Sequence, residues 1–130
     1  MKTKYVYPAI FEKEEEGYSV IFPDLDIATS GEDLTEAVYM AKDALCLMLY
    51  DLEERKAEIP EASRIQDVAA SGEQFVSLVE CDTIEYRKFF NSKAVKKTLS
   101  IPAWLNTLAE RADINFSAVL QKALKAELNI

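Results

Sequence analysis

KKTLSIPAWLNTLAERADINFSAVLQKALKAELNI, residues 96–130, is the stretch whose reading decides the fold. Lys96–Ile101 alternates as a short strand, with Leu99 and Ile101 on one side and Lys96, Thr98 and Ser100 on the other. Pro102, at the first helical position, opens a helix that carries Leu105, Leu108, Ala109 and Ala112 on one face. Asn115 caps a second helix with Val119, Leu120, Ala123, Leu124 and Leu128 on one face. One strand and two short helices cannot bury that much apolar surface, and the strand has no partner within the segment. A homodimer through residues 96–130 solves both problems: two strands pair into a ribbon and four helices share a core. That core is expected to contain Leu99, Ile101, Leu105, Leu108, Val119, Leu120 and Leu124, with Trp104 as a core or interface aromatic.

An antiparallel ribbon of two strands fits the major groove of DNA, where its outward side chains reach base edges. Here those are Lys96, Thr98 and Ser100, doubled by symmetry. Lys93 and Lys97 are placed to meet phosphates. The start of the second helix, at Asn115–Ser117, offers free amides and the positive end of a dipole to the backbone. The plainer reading is a helical hairpin whose lysines are only solvated.

Upstream, residues 4–12 (KYVYPAIFE) and 18–22 (YSVIF) flank the polar KEEEG and read as a hairpin, with Glu14–Glu16 a solvated turn. Pro8 cannot donate to a ladder and belongs at an edge or a bulge. A short strand at Ile27–Thr29 follows the PDLD turn. Asp33-Leu34-Thr35-Glu36 then forms a capping box, with Glu36 reaching back to the Asp33 amide. The helix after it runs to about Lys56, and Leu34, Val38, Ala41, Leu45, Met48 and Leu52 form its apolar stripe. Pro60 ends that pattern, and Ser63–Ala69 holds a short helical turn. Gln74–Glu80 alternates as a further strand, and Thr83–Phe90 is a helix. The order is β-β-β-α-β-α, an α+β arrangement with a helix over an antiparallel sheet. Composition changes at 91–95, giving a domain at 1–90, a linker at 91–95 and a second module at 96–130.

Net charge is −8, which by itself argues against nucleic-acid binding. The average conceals a division. Residues 1–86 carry seven Lys and Arg against twenty Asp and Glu, a net −13, while residues 87–130 carry eight against three, a net +5. Two different partners are expected. With no histidine, Ser-His-Asp and Cys-His catalysis and most zinc or nickel sites are excluded. Cys46 and Cys81, in apolar surroundings and without Cys-x-x-Cys spacing, read as buried free thiols. No apolar run is long enough to span a membrane and the N-terminus lacks a secretory pattern, so a cytoplasmic protein with no membrane partner is expected.

The C-terminal stretch resembles the ribbon-helix-helix family. The chain as a whole resembles the HicB antitoxins of HicAB toxin–antitoxin systems, through that stretch and through GYSVIFPDLDIATSGEDLTEAVYMAKDAL at 17–45. The second motif is similar to the family's Gly-Tyr, Pro-Asp-Leu turn and Thr-x-Gly-Glu/Asp break before a helix containing Glu-Ala. The resemblance implies a partial ribonuclease H-like N-terminal domain, here β-β-β-α-β. It also implies a small basic mRNA-cleaving HicA-type toxin as partner, operator DNA as target, and a higher assembly with toxin. The acidity of residues 1–86 suits a basic protein. Toxin-binding candidates are Tyr18, Phe22, Asp24, Asp26, Glu32 and Asp33. This chain departs from the pattern at Asp26-Ile27, where Pro-Gly is frequent, at Lys97, often an apolar inward position, and at Phe116, where Arg is common.

Two other readings compete with a noncatalytic antitoxin and autorepressor. One is a ribbon-helix-helix repressor whose acidic domain senses a small molecule. The other is a nuclease that holds magnesium with Asp24, Asp26, Glu32, Asp33, Glu36 and Asp43. Capping already accounts for Asp33 and Glu36, and Asp43 sits on a polar helical face. No catalytic residue, cofactor or metal is therefore expected.

Overall fold

The computed structural model describes residues 1–130 and divides them into two compact units, Met1–Lys93 and Ala94–Ile130. The first holds a four-stranded sheet of β1 (Lys4–Lys13), β2 (Tyr18–Phe22), β3 (Ile27–Gly31) and β4 (Gln74–Asp82), with helices α1 (Leu34–Glu54) and α2 (Thr83–Phe90). The strand order is β3-β2-β1-β4 and every pair is antiparallel. The second unit holds α3 (Ala103–Arg111) and α4 (Phe116–Leu128). The fold is thus mixed, with one antiparallel sheet and four helices.

Alternation along β1 builds the core. Tyr5, Tyr7, Ala9 and Phe11 face α1 and lie opposite Cys81, Val79, Ser77 and Phe75 of β4, and the Phe11 and Phe75 rings stack with centroids 5.2 Å apart. Val20 and Phe22 of β2 join them, under Ala37, Ala41, Leu45, Cys46 and Leu49 of α1. Full burial of Phe11, Phe22, Leu45 and Leu49 stabilises the unit by about 1.5–3 kcal/mol per side chain. The apolar stripe of α1 is rotated from its sequence reading. Leu34 and Val38 are 43% and 48% exposed, and Ala37 and Leu49 take the inward positions. Small residues at 37 and 41 let the start of the helix lie close on the sheet.

Two local expectations are corrected and a third is met only locally. Pro8 lies on a strand that is central in the sheet, paired opposite Leu78, but on a stretch of it that is an edge. It is tolerated because β2 pairs only with Ile10–Lys13, so this half of β1 has a single neighbour and can spare an amide. At the start of α1, Asp33 Oδ1 accepts from the Glu36 amide at 2.8 Å as the capping box requires, but Glu36 Oε1 accepts from Glu32 N (3.3 Å) rather than from Asp33. Pro102 is the N-cap of α3 rather than its first helical residue, since its carbonyl accepts the Asn106 amide.

Glu53 ties three elements of the first unit together. It accepts from Tyr5 Oη (2.9 Å) and Thr83 Oγ1 (3.0 Å), and pairs with Arg87 Nη2 at 3.0 Å. Burial, and then the bond to Glu53, push the Tyr5 phenol above its usual range. The Thr83 amide and hydroxyl also both bond the Thr3 carbonyl, which seats α2 against the start of β1. Glu53→Ala removes the acceptor that the Tyr5 and Thr83 hydroxyls share, leaving each a single backbone carbonyl, and removes one of the carboxylates facing Arg87. We expect it to cost about 2 kcal/mol in urea unfolding followed by circular dichroism, with Glu53→Gln recovering part of the loss because it can still accept from Tyr5.

Candidate functional site

The acidic candidates fall into two groups. Asp24 and Asp26 sit in the four-residue β2–β3 turn, which opens with the Leu25 amide bonded to the Phe22 carbonyl. Pro23 pre-sets the turn, and Asp26 closes it in the left-handed region at φ 52°, a conformation that Asp tolerates better than most residues. Asp24 is already engaged, accepting from Ser63 N at 3.0 Å and Ser63 Oγ at 2.5 Å, which pins the loop after α1 to this turn. Glu32 and Asp33 lie at the opposite end of β3. Its five residues, at about 3.3 Å each, separate the two groups by roughly 17 Å along the strand.

Of the two aromatic candidates, Phe22 is corrected: its ring is fully buried beneath α1 and offers no surface to a partner. Tyr18 is half-buried, packed on the core, with the Lys13 ammonium 5.5 Å from its ring centre. The carboxylates at 24, 26, 32, 33, 36 and 43 do not converge, and no three His, Cys, Asp or Glu residues gather where a metal ion could be held.

A feature that sequence reasoning missed is a groove of about 760 Å³ between α1, β4 and α2. Tyr39, Asp43, Glu80, Glu85, Tyr86 and Phe90 are among the residues that line it. Tyr39 and Phe89 are 71% and 79% exposed, unusual for aromatics. Spacings of four, Tyr39 to Asp43 on one helix and Tyr86 to Phe90 on the other, are the signal that could have found it.

In the second unit the cap of α4 is as expected: Asn115 Oδ1 accepts from the Ala118 amide at 3.0 Å. Ser117 lies beside it in the first turn. Lys96, Lys97, Thr98 and Ser100 are exposed, in a stretch from 93 to 102 that carries no strand assignment. Here the structure differs from the strand expected at Lys96–Ile101. A strand is defined by its ladder partner, and a single copy supplies none. Leu99, Ile101, Leu105, Leu108, Val119 and Leu124 are all exposed, Leu99 at 63%, and Leu120 is half-buried. Lys93 belongs to the first unit. Counted by unit, residues 1–93 carry ten basic against twenty acidic side chains and 94–130 five against three, so the basic excess of the second unit is +2. Arg87 and Lys88, part of the C-terminal excess in the sequence count, are spent on Glu53, Glu54 and Glu85 within the first unit.

Residues 7–124 match the family described as HicB-like antitoxin of bacterial toxin-antitoxin system. Antitoxin HicB 2 of Photorhabdus laumondii subsp. laumondii is 40% identical over 73 residues, covering 55% of this chain and 48% of that protein, so the match spans about half the length of this relative. Among solved structures, a chain of a toxin–antitoxin complex from Streptococcus pneumoniae superposes with a TM-score of 0.61 at 31% identity, covering 95% of this chain and 99% of that one. The antitoxin HicB of Burkholderia pseudomallei shares the fold, with a TM-score of 0.54 at 20% identity over 92% of this chain and 96% of that one. Since the family match takes in both the sheet-bearing unit and most of the helical one, this chain belongs to the HicB-like antitoxin family of bacterial toxin–antitoxin systems.

Proposed function

We propose that this chain neutralises a basic HicA-type toxin through its acidic first unit and represses its own operon through a ribbon-helix-helix dimer formed by the second, without catalysis of its own. The observation that carries the proposal is the condition of the second unit. Its apolar stripes, from Leu99 through Leu128, are solvent-exposed in a single copy, far more apolar surface than a monomeric unit of this size leaves uncovered. A second copy covers it, and the same pairing turns Lys96–Ile101 into a ribbon that presents Lys96, Thr98 and Ser100. Lys93, Lys97 and the α4 N-terminus at Asn115 and Ser117 are the proposed phosphate contacts.

For the first unit, the support is a net charge of −10 on residues 1–93 and the family's place in toxin–antitoxin systems. Asp26, Glu32 and Asp33, with the exposed edge of Tyr18, are the proposed contacts, and Asp24 supports them by holding the turn. A three-stranded meander crossed by a helix, with a fourth strand beside the first, supports reading the unit as partially ribonuclease H-like. We place the domain boundary in the segment 91–95.

Co-expression of the full chain with a small basic HicA-type toxin, sought in the reading frame next to its own, tests the proposal. The two are expected to copurify, and the purified pair is expected to leave mRNA intact. Replacing Asp26, Glu32 and Asp33 together by Lys should weaken that complex at least tenfold and steepen its dependence on salt, while operator binding stays unchanged. Failure of the two proteins to copurify refutes the antitoxin reading. Cleavage of RNA by this chain alone in magnesium would favour the nuclease.

A further inference from the structure

Tyr39, Tyr86, Phe89 and Phe90 put four aromatic rings on the groove between α1, β4 and α2. The rings of Tyr86 and Phe90 lie 4.5 Å apart and those of Phe89 and Phe90 4.8 Å apart, so the last turn of α2 carries a joined aromatic cluster. Phe90 is 59% exposed, and Tyr39 and Phe89 more so. Aromatic surface gathered in a groove and left open to water marks a place where a partner binds. Charge says which partner. Asp43, Glu80, Asp82 and Glu85 line the groove against Lys4 and Lys42. Lys42 lies 3.8 Å from Glu80, Lys88 holds Glu85 at 3.1 Å, and Asp43 has no ion-pair partner. An occupant with apolar and cationic side chains answers both features, setting its ammonium or guanidinium groups over the ring faces and beside Asp43. A second copy of this unit, itself at net −10, would bring like charge to the groove, and nucleic acid would bring more.

We propose that this groove is the anchoring site for the basic toxin, taking from it an apolar segment flanked by Lys or Arg. The inference rests on the antitoxin reading and deepens it, because it separates steering from holding. Asp26, Glu32 and Asp33 are exposed charges, which draw a basic partner in and set the rate of association. Aromatic anchors in a groove lose their water when the partner arrives, and they set the rate of dissociation. The two places are within reach of one small protein. Asp33 caps α1, and Tyr39 and Asp43 follow it by six and ten residues, roughly 9 and 15 Å along the helix axis. Glu36, exposed and one turn before Tyr39, continues the acidic surface from the cap to the groove.

The test uses the full chain and a catalytically inactive form of the toxin, with association and dissociation followed at several salt concentrations. Tyr39→Ser combined with Phe89→Ser should weaken binding at least tenfold through faster dissociation, with its salt dependence unchanged. Asp43→Lys should weaken it as well, and here the salt dependence should become shallower. All three side chains are exposed, so the thermal midpoint, sedimentation and operator binding of these variants should stay those of the parent. Replacing Phe89 by the photo-crosslinker p-benzoylphenylalanine should give an adduct with the toxin. If the parent binds the toxin and the double variant binds it as tightly, the groove is not the anchoring site, while the antitoxin reading stands. If the parent does not bind the toxin at all, both are overturned. An adduct from position 89 to a second copy instead of the toxin, or altered sedimentation of the double variant, would overturn the proposal in favour of self-association.

Discussion

Gly31→Ala is expected to be among the most damaging single substitutions in the first unit, lowering its stability by about 3 kcal/mol and its thermal midpoint by roughly 15 °C. A Cβ at position 31 would lie 2.3 Å from the Ala37 amide nitrogen and 2.7 Å from the Ala37 Cα. Those are backbone atoms of the first turn of α1, held by the Asp33 cap and the small residues beneath it, so no flexible side chain can give way. Relief requires lifting the helix from β3, which also uncovers Val20 and Phe22. Gly17 supports the same corner from the other side. Its φ is +88°, and a Cβ there would meet the Gly31 carbonyl oxygen at 2.1 Å. The measurement needs a probe confined to the correct unit. Trp104 is the one tryptophan and lies in the second unit, so its emission should follow a separate transition. Tyrosine signals, all six from the first unit, report the loss. A Gly31→Ala protein that unfolds at the parent's urea concentration would show that the strand and helix do not approach so closely.

The sequence announced this corner only as a break between a strand and a helix. Ser30-Gly31 marks a turn by composition, and nothing local says that the glycine is needed for contact with residue 37 rather than for backbone freedom. The same distinction separates what was legible from what was not. Alternation in KYVYPAIFE and the Asp33 cap are local signals, and they placed β1 and α1 to within a few residues. Which side of α1 turns inward depends on the sheet beneath it. Periodicity alone therefore chose Leu34 and Val38, where the close approach at the helix start favoured Ala37. Phe22 was misassigned for a related reason: its motif is a surface turn, but alternation from Val20 carries its ring to the core. Pro8 does lie at an edge, as its missing amide requires, but on only half of a strand, and that β2 is too short to cover it cannot be read from β1. The aromatic groove escaped notice because α1, β4 and α2 bring Tyr39 and Phe90 together from distant parts of the chain.

The substitutions Leu99→Asp and Thr98→Ala should part the two faces of the proposed ribbon. In a single copy Leu99 is 63% exposed, so an aspartate there costs the isolated unit little. In the dimer it would bury two charges where the ribbon meets the helices, at several kcal/mol each unless they are neutralised, and the dimer should be lost at micromolar concentration. Operator binding falls with it, because one ribbon needs both strands. Thr98→Ala acts on the other face and should leave sedimentation unchanged. If each hydroxyl contacts a base, its loss weakens specific binding by ~1–3 kcal/mol per half-site, and two-fold symmetry counts the loss twice. Lys93→Ala is the control for charge: affinity drops for all sequences alike and the salt dependence becomes shallower, as expected for a phosphate contact. Gel shifts at several salt concentrations, paired with sedimentation of each variant, separate the three outcomes. Lys97 shares its parity with Leu99 and Ile101, so an inverted ribbon would present Lys97 and Leu99 to the groove instead. In that case Thr98→Ala would dissociate the dimer and Leu99→Ala would bind every sequence with equal strength.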